Sequence, residues 1–108
     1  MIARRCQGIT PSSRAGAYLD FLRARALSDH RSVPGNQAAY VLRRIEGDQV
    51  HFVTLTFWST KEAIRAFAGE DIRRAKYYPE DRDFLQEFEP EVLHYEVCSP
   101  ILGDSPGP

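Results

Sequence analysis

Residues 57–71 read FWSTKEAIRAFAGED, and the change of pattern inside them decides the fold. Phe57 and Trp58 close an apolar run that begins at Val50. Ser59-Thr60-Lys61-Glu62 then has the spacing of a capping box, in which the Ser59 hydroxyl accepts from the Glu62 amide and the Glu62 carboxylate reaches back. The strand is therefore expected to end at Trp58 and a helix to begin at Thr60. Ala63, Ile64 and Phe67 supply the helix's apolar side. Gly69 is its expected stop, because glycine tolerates left-handed backbone there. Ile72 and Ala75 suggest a further short helical piece.

Working outward, residues 2–9 (IARRCQGI) alternate loosely and suit a strand. Thr10-Pro11 looks like a helix start, with Thr10 as cap and Pro11 at the first helical position. Ala15, Tyr18, Leu19, Leu22 and Ala26 recur at helical spacing, and this helix is expected to fade around Ser28 to His30. Pro34-Gly35-Asn36 is a turn, since proline presets φ and glycine accepts a positive φ. Ala38–Ile45 and Val50–Trp58 read as strands joined through Glu46-Gly47-Asp48, which makes a hairpin. Phe84, Leu85 and Phe88 suggest one or two helical turns, Pro90 ends them, and Val92–Cys98 is a last strand. The order β-α-β-β-α-β is the ferredoxin-like pattern, an α+β class, with an antiparallel sheet expected in the order 4-1-3-2. Residues 1–99 form the domain. Residues 100–108 form a Pro/Gly-rich tail, in which Ile101-Leu102 is a candidate clip onto a partner subunit.

The strand before Ser59 is apolar on both faces. Val50, Phe52 and Trp58 point one way, and Val53, Leu55 and Phe57 point the other. Helices cover one face of such a sheet, so the other is expected to be covered by a second copy, giving a homodimer.

Composition narrows the function classes. A chain of 108 residues with 43% hydrophobic and 27% charged residues fits one globular domain. A net charge of −1 offers no basic surface for nucleic acid or an anionic membrane. The N-terminus lacks an apolar signal segment and no run is long enough to span a bilayer, so a cytoplasmic location is expected. Cys6 and Cys98 lie near opposite ends and are expected to be buried thiols rather than a disulfide. No His/Cys spacing suggests a metal site.

The residues that carry a resemblance are now in place. They are the TPSSRAGAYLDFL helix start, the VPGNQAAYVLRR turn and strand, and FWSTKEAIRAFAGED followed by AKYYPEDRDFL. With the βαββαβ order, the chain resembles the antibiotic biosynthesis monooxygenase domain family, a branch of the dimeric α/β-barrel superfamily. The resemblance covers nearly all of the chain except the tail. It implies a homodimer and a pocket for a small molecule. It also implies an oxygenase that uses no metal, flavin or other cofactor and acts on a small aromatic or enolic compound. A deprotonated phenol or enol reduces O2 itself, in a dry cavity with hydrogen bonds to the oxyanion.

Carried over position by position, the resemblance is incomplete. The polyketide-oxidising type has an asparagine four residues before the strand-end tryptophan and a tyrosine six after it; these positions are Thr54 and Ile64, and Trp58 itself matches. The haem-degrading type has a tryptophan, a histidine and a first-strand asparagine where this chain has Phe67, Tyr77 and Gln7. Pocket candidates are therefore Gln7, Thr54, Trp58, Phe67, Tyr77 and Tyr78, and no catalytic residue is assigned. Trp58 and Phe67 are expected to orient a ring, with Thr54 or Tyr77 bonding the oxyanion. Histidine is the natural base near neutral pH, and His51 or His94 becomes the candidate base if it faces the cavity; His30 ends the first helix. The acidic clusters Glu70-Asp71, Glu80-Asp81 and Glu87-Glu89 read as solvated faces and helix ends. The alternative reading is a non-catalytic small-molecule-binding dimer, with haem binding ranked last.

Overall fold

The computed structural model describes residues 1–75, 81–85, 87–88 and 92–98. Its elements are β1 (Ile2–Pro11), α1 (Ser12–Phe21), a π turn (Leu22–Ala26) running into α2 (Leu27–Arg31), β2 (Asn36–Glu46), β3 (Gln49–Trp58), α3 (Lys61–Ala68), α4 (Asp81–Phe84), β4 (Glu87–Phe88) and β5 (Leu93–Glu96). The sheet is antiparallel in the order β2-β3-β1-β4, and β5 also pairs with β1. The last strand position of the ferredoxin-like order is thus filled by two pieces. β4 lies against Gly8 and Ile9, and β5 against Ile2–Arg5.

Local chemistry explains where the boundaries depart from expectation. Thr10 is not a cap: the ladder continues through Thr10 opposite Val50 and Pro11 opposite Gln49. The Ser12 amide donates instead to the Asp48 carbonyl (2.7 Å) in the hairpin turn. Thr10 is fully buried, and its hydroxyl has no partner among the described residues. The second cap is shifted by one residue. Thr60, not Ser59, accepts from the Ala63 amide (3.1 Å), and Glu62 pairs with Arg65 (3.4 Å). Ser59 is held as extended linker because its amide donates to the Gly35 carbonyl (2.9 Å).

The expected helical piece at Ile72 to Ala75 is a turn with a single bridge at Arg74. The Arg73 carbonyl there accepts from the Val92 amide (2.7 Å), which ties the segment to the C-terminal part of the sheet. Phe88 belongs to β4, not to a helix. Tyr77, Tyr78, Pro90 and the tail lie outside the described residues.

Both turns use glycine as expected. Gly35 has φ +93°, and the Asn36 amide closes the turn on the Val33 carbonyl (3.1 Å). A Cβ at Gly35 would stand 2.6 Å from the Ala63 Cβ and 3.0 Å from the Ser59 hydroxyl, so this turn is pressed against the start of α3. Gly47 has φ +62° at the first central position of the hairpin turn, as a type II′ turn requires.

The helices cover one face of the sheet and build two apolar clusters. The larger joins Ala15, Tyr18, Leu22, Ala26, Val50, Phe52 and Leu85; the smaller joins Trp58, Ile64 and Phe67. On the opposite face, Val53, Leu55 and Phe57 are half-buried beside Tyr40 (54% exposed), Leu42 (48%), Leu93 (49%) and Tyr95 (51%). No helix among the described residues is long and apolar enough to cross a membrane.

Candidate functional site

The side chains of β3 that face the helices are Val50, Phe52, Thr54, Thr56 and Trp58, because alternate residues share a face. Apolar groups stand at both ends of this row and two threonines in its middle. β1 repeats the arrangement: Arg4 lies opposite Thr56, and Cys6 opposite Thr54. The covered face therefore has a polar band between its two apolar clusters, and a cavity opens over that band. Arg4, Cys6, Thr54 and Thr56 form its floor, Tyr18, Leu22, Ala26 and His30 come from the first helical segment, and Phe67 and Asp81 complete it. Its volume is about 40 Å³, room for about three waters.

Helical spacing explains the roof. The stripe Ala15, Tyr18, Leu22, Ala26 continues one turn further, to His30, which is buried. The π turn at Leu22–Ala26 lies in this roof, a feature often found at functional sites. His30 Nδ1 lies 2.6 Å from the Ala26 carbonyl oxygen. A carbonyl can only accept, so Nδ1 carries a proton and donates it. The imidazole packs on Phe67, centroids 4.1 Å apart.

Two charged residues are buried here. Arg4 is 3% exposed; its Nη2 donates to the Arg74 carbonyl (3.0 Å), and its guanidinium lies 5.9 Å from the Phe67 ring centre. Burial lowers its pKa from the ordinary arginine value, with Cys6 acting in the opposite direction. Asp81 is also 3% exposed, and Tyr18 donates its phenolic proton to Asp81 Oδ1 (3.0 Å). The solvated role expected for Asp81 is thus corrected: α4 turns it inward.

Of the residues singled out from sequence, Thr54 and Phe67 line the cavity. Trp58 stands one layer back. It is fully buried, its Nε1–H donates to the Thr56 hydroxyl (2.8 Å), and its ring lies 5.7 Å from Phe67. Gln7 lies opposite Val53 and lines a more open pocket of about 220 Å³ on the other face with Arg5, Leu42, Arg44 and His51. Tyr77 and Tyr78 lie outside the described residues. Ile64 packs against Trp58 in the core.

Cys6 and Cys98 are not joined in a disulfide. Neither is fully buried as expected: Cys6 is partly buried at the cavity and Cys98 is exposed. Among the described residues, no three His, Cys, Asp or Glu side chains cluster as metal ligands would. His51 faces away from the cavity. His94 shares the helix-covered face through its pairing with Arg4. Its Nε2 is buried without a partner among the described residues, and burial, then the charges of Arg4 and Lys61, lower its pKa. The residues that sequence reasoning missed are Arg4, His30 and Asp81. Only His30 had a signal, as the next member of the helical stripe.

No family model matches the chain, and no curated protein matches it. Solved structures do. One is a putative antibiotic biosynthesis monooxygenase from Bacillus cereus, 13% identical over 94% of this chain and 95% of that one, with a TM-score of 0.66. A second is the haem-degrader MhuD from Mycobacterium tuberculosis with two haems bound in its active site, 20% identical over 94% and 99%, TM-score 0.60. A third is the ActVA-Orf6 monooxygenase of Streptomyces coelicolor in complex with nanaomycin D, 15% identical over 95% and 92%, TM-score 0.62. The chain has the fold of antibiotic biosynthesis monooxygenases, the ferredoxin-like α+β fold expected from sequence.

Proposed function

We propose that this protein binds a small aromatic or enolic compound in the cavity between its two apolar clusters and oxidises it with O2, without a metal or organic cofactor. The observation that carries this reading is the polar band of Arg4, Cys6, Thr54 and Thr56 beneath an aromatic and apolar roof. Ligand pockets combine a mostly apolar lining with a few placed polar groups. In this reading Phe67 orients the ring, Trp58 buttresses Phe67, and Thr54 donates to the developing oxyanion. His30, which lines the cavity, takes the acidic proton, and the resulting electron-rich anion reduces O2. Tyr77, if it reaches the cavity, is a second donor.

The cavity holds only about three waters, whereas ligand sites typically enclose about 300 Å³ or more. Binding in this reading therefore moves lining side chains. Haem ranks last in this reading, being far larger than the cavity among the described residues.

The open sheet face supports a homodimer. Its half-buried and exposed apolar side chains, Tyr40, Leu42, Val53, Leu55 and Phe57, are what a second copy would cover. A cytoplasmic location goes with this reading.

Ile64, buried where the oxygenase set has a tyrosine, favours a second reading: binding without turnover. Oxygen uptake with a panel of anthrone and quinol substrates separates the two. Uptake lost in His30→Gln supports the oxygenase, and saturable binding with no uptake supports the binding dimer. A visible band on haem titration would revive the haem reading.

A further inference from the structure

Asp81 is an unusual residue to bury. A carboxylate taken out of water is destabilising unless its oxygens are bonded, yet Asp81 is 3% exposed and lines the cavity. Packing around α4 holds it inward. The Leu85 amide donates to the Asp81 carbonyl (2.9 Å). Phe84 stacks on Phe21 and packs against Tyr18, with centroids 5.9 and 5.4 Å apart. Leu85 lies over the bare backbone of Gly8, where a Cβ would stand 2.8 Å from its Cδ2.

The hydrogen-bonding sense of this corner follows from counting protons. Tyr18 has one hydroxyl proton, and it goes to Asp81 Oδ1 (3.0 Å). The Tyr18 ring is buried and set edge-on against Phe52 (5.1 Å), which fixes where its hydroxyl lies. With that proton committed, the Tyr18 oxygen can only accept. A carboxylate also only accepts, at about four lone-pair sites, so one bond from Tyr18 does not fill it. Donors stand elsewhere in the cavity. The Thr54 and Thr56 hydroxyls are on its floor, and the Arg4 guanidinium reaches the Arg74 carbonyl beside Phe67. A ligand atom that can only accept, such as an ether or quinone oxygen, would lose its water at the Asp81 corner and gain no bond there.

We propose that the Asp81–Tyr18 corner selects ligands that carry a neutral hydroxyl on a flat ring, which keeps its proton and donates it to the Asp81 carboxylate. This rests on the reading that the cavity binds a small aromatic or enolic compound. It adds a second oxygen to that compound, beside the group whose proton His30 takes. Hydrogen bonds to a charged group contribute more than neutral ones. The hydroxyl should therefore be preferred about tenfold or more over a group of the same size that cannot donate.

The test uses the full chain and two probes of nearly equal shape, 4-methylphenol and 4-fluorotoluene. Affinities are measured by calorimetry at about pH 7, where the phenol is not ionised. 4-Methylphenol is expected to bind about tenfold or more tightly. Asp81→Asn removes the charge of the acceptor, so it should cut that preference by about fivefold and leave the affinity for 4-fluorotoluene unchanged. Tyr18→Phe leaves the carboxylate in place and should retain the preference. This second variant decides if Asp81→Asn does not fold, and a preference lost in it overturns the role of Asp81. Equal binding of the two probes, or a preference undiminished in Asp81→Asn, overturns the corner but leaves the cavity reading standing. Failure of both probes to bind overturns both.

Discussion

The two faces of the sheet use the same residue alternation for opposite ends. On the covered face, β3 places Val50, Phe52 and Trp58 at the extremes and Thr54 and Thr56 between them, and β1 adds Arg4 and Cys6 to the polar middle. On the open face, Val53, Leu55 and Phe57 of β3 lie beside Tyr40 and Leu42 of β2, and Arg5 of β1 stands between Leu55 and Leu93. The covered face has polar groups where packing against helices would favour apolar ones. The open face has apolar groups where water would favour polar ones. Each departs from what a plain two-layer α/β sandwich needs, and each is the feature the proposed reading uses: a small molecule on one side, a second copy on the other.

The contrast can be broken by mutation. The largest effect is expected from Trp58→Ala, which empties the smaller apolar cluster. It should cost about 3–5 kcal/mol in denaturant unfolding. Leu42→Ala, in the open face of a monomerised background, should stay within about 0.5 kcal/mol. Equal costs would remove the distinction between core and docking face.

The monomerised background is itself the next test. Leu55→Glu places a charge in the middle of the open face. It should halve the mass seen by light scattering while the far-UV circular dichroism stays native. A wild-type chain that is already monomeric across micromolar concentrations would sink the assignment of that face.

A smaller effect sharpens the boundary between strand and helix. Thr60→Ala should cost about 1 kcal/mol, the usual value of an N-cap. Ser59→Ala should cost clearly less, and the reverse order in thermal melts would restore the capping box.

The smallest effect concerns His94, on the covered side. Its folded pKa lies below the ordinary value of 6.5, so the unfolded chain binds its proton first as pH falls. Its contribution to stability is complete above about pH 6.5 and is lost as pH drops toward the folded pKa. His94→Gln should therefore flatten the decline in stability as pH falls below about 6.5. An unchanged slope would show that the neighbouring charges do not act on it.

Much of this architecture can be read from the residues, and the rest is hidden for definable reasons. The alternation of β3 assigns its two faces correctly, because a strand that ends at a helix cap has little freedom of register. The stripe Ala15, Tyr18, Leu22, Ala26 identifies the roof, and it reaches the site at His30 only when carried one turn past its last apolar member. Arg4 and Arg5 are adjacent and chemically identical, yet one is buried and the other is not. Only the pairing of Arg4 with Thr56 separates them, and pairing is a long-range property. Gln7 was placed beside the cavity from an inherited pattern, but an odd-numbered residue of β1 faces the other way. Asp81 reaches the cavity from α4, more than seventy residues after Arg4, and nothing local distinguishes it from its acidic neighbours.

Gly35 has a consequence for anyone recombining this fold. It ends the first β-α half and touches Ala63 of the second, with no room between them for one carbon atom. A chimera that joins residues 1–35 of one parent to the following hairpin and helix of another therefore inherits a steric contract at the crossover. The bare backbone at the turn and the small side chain at the head of α3 must travel together, however dissimilar the rest of the two parents.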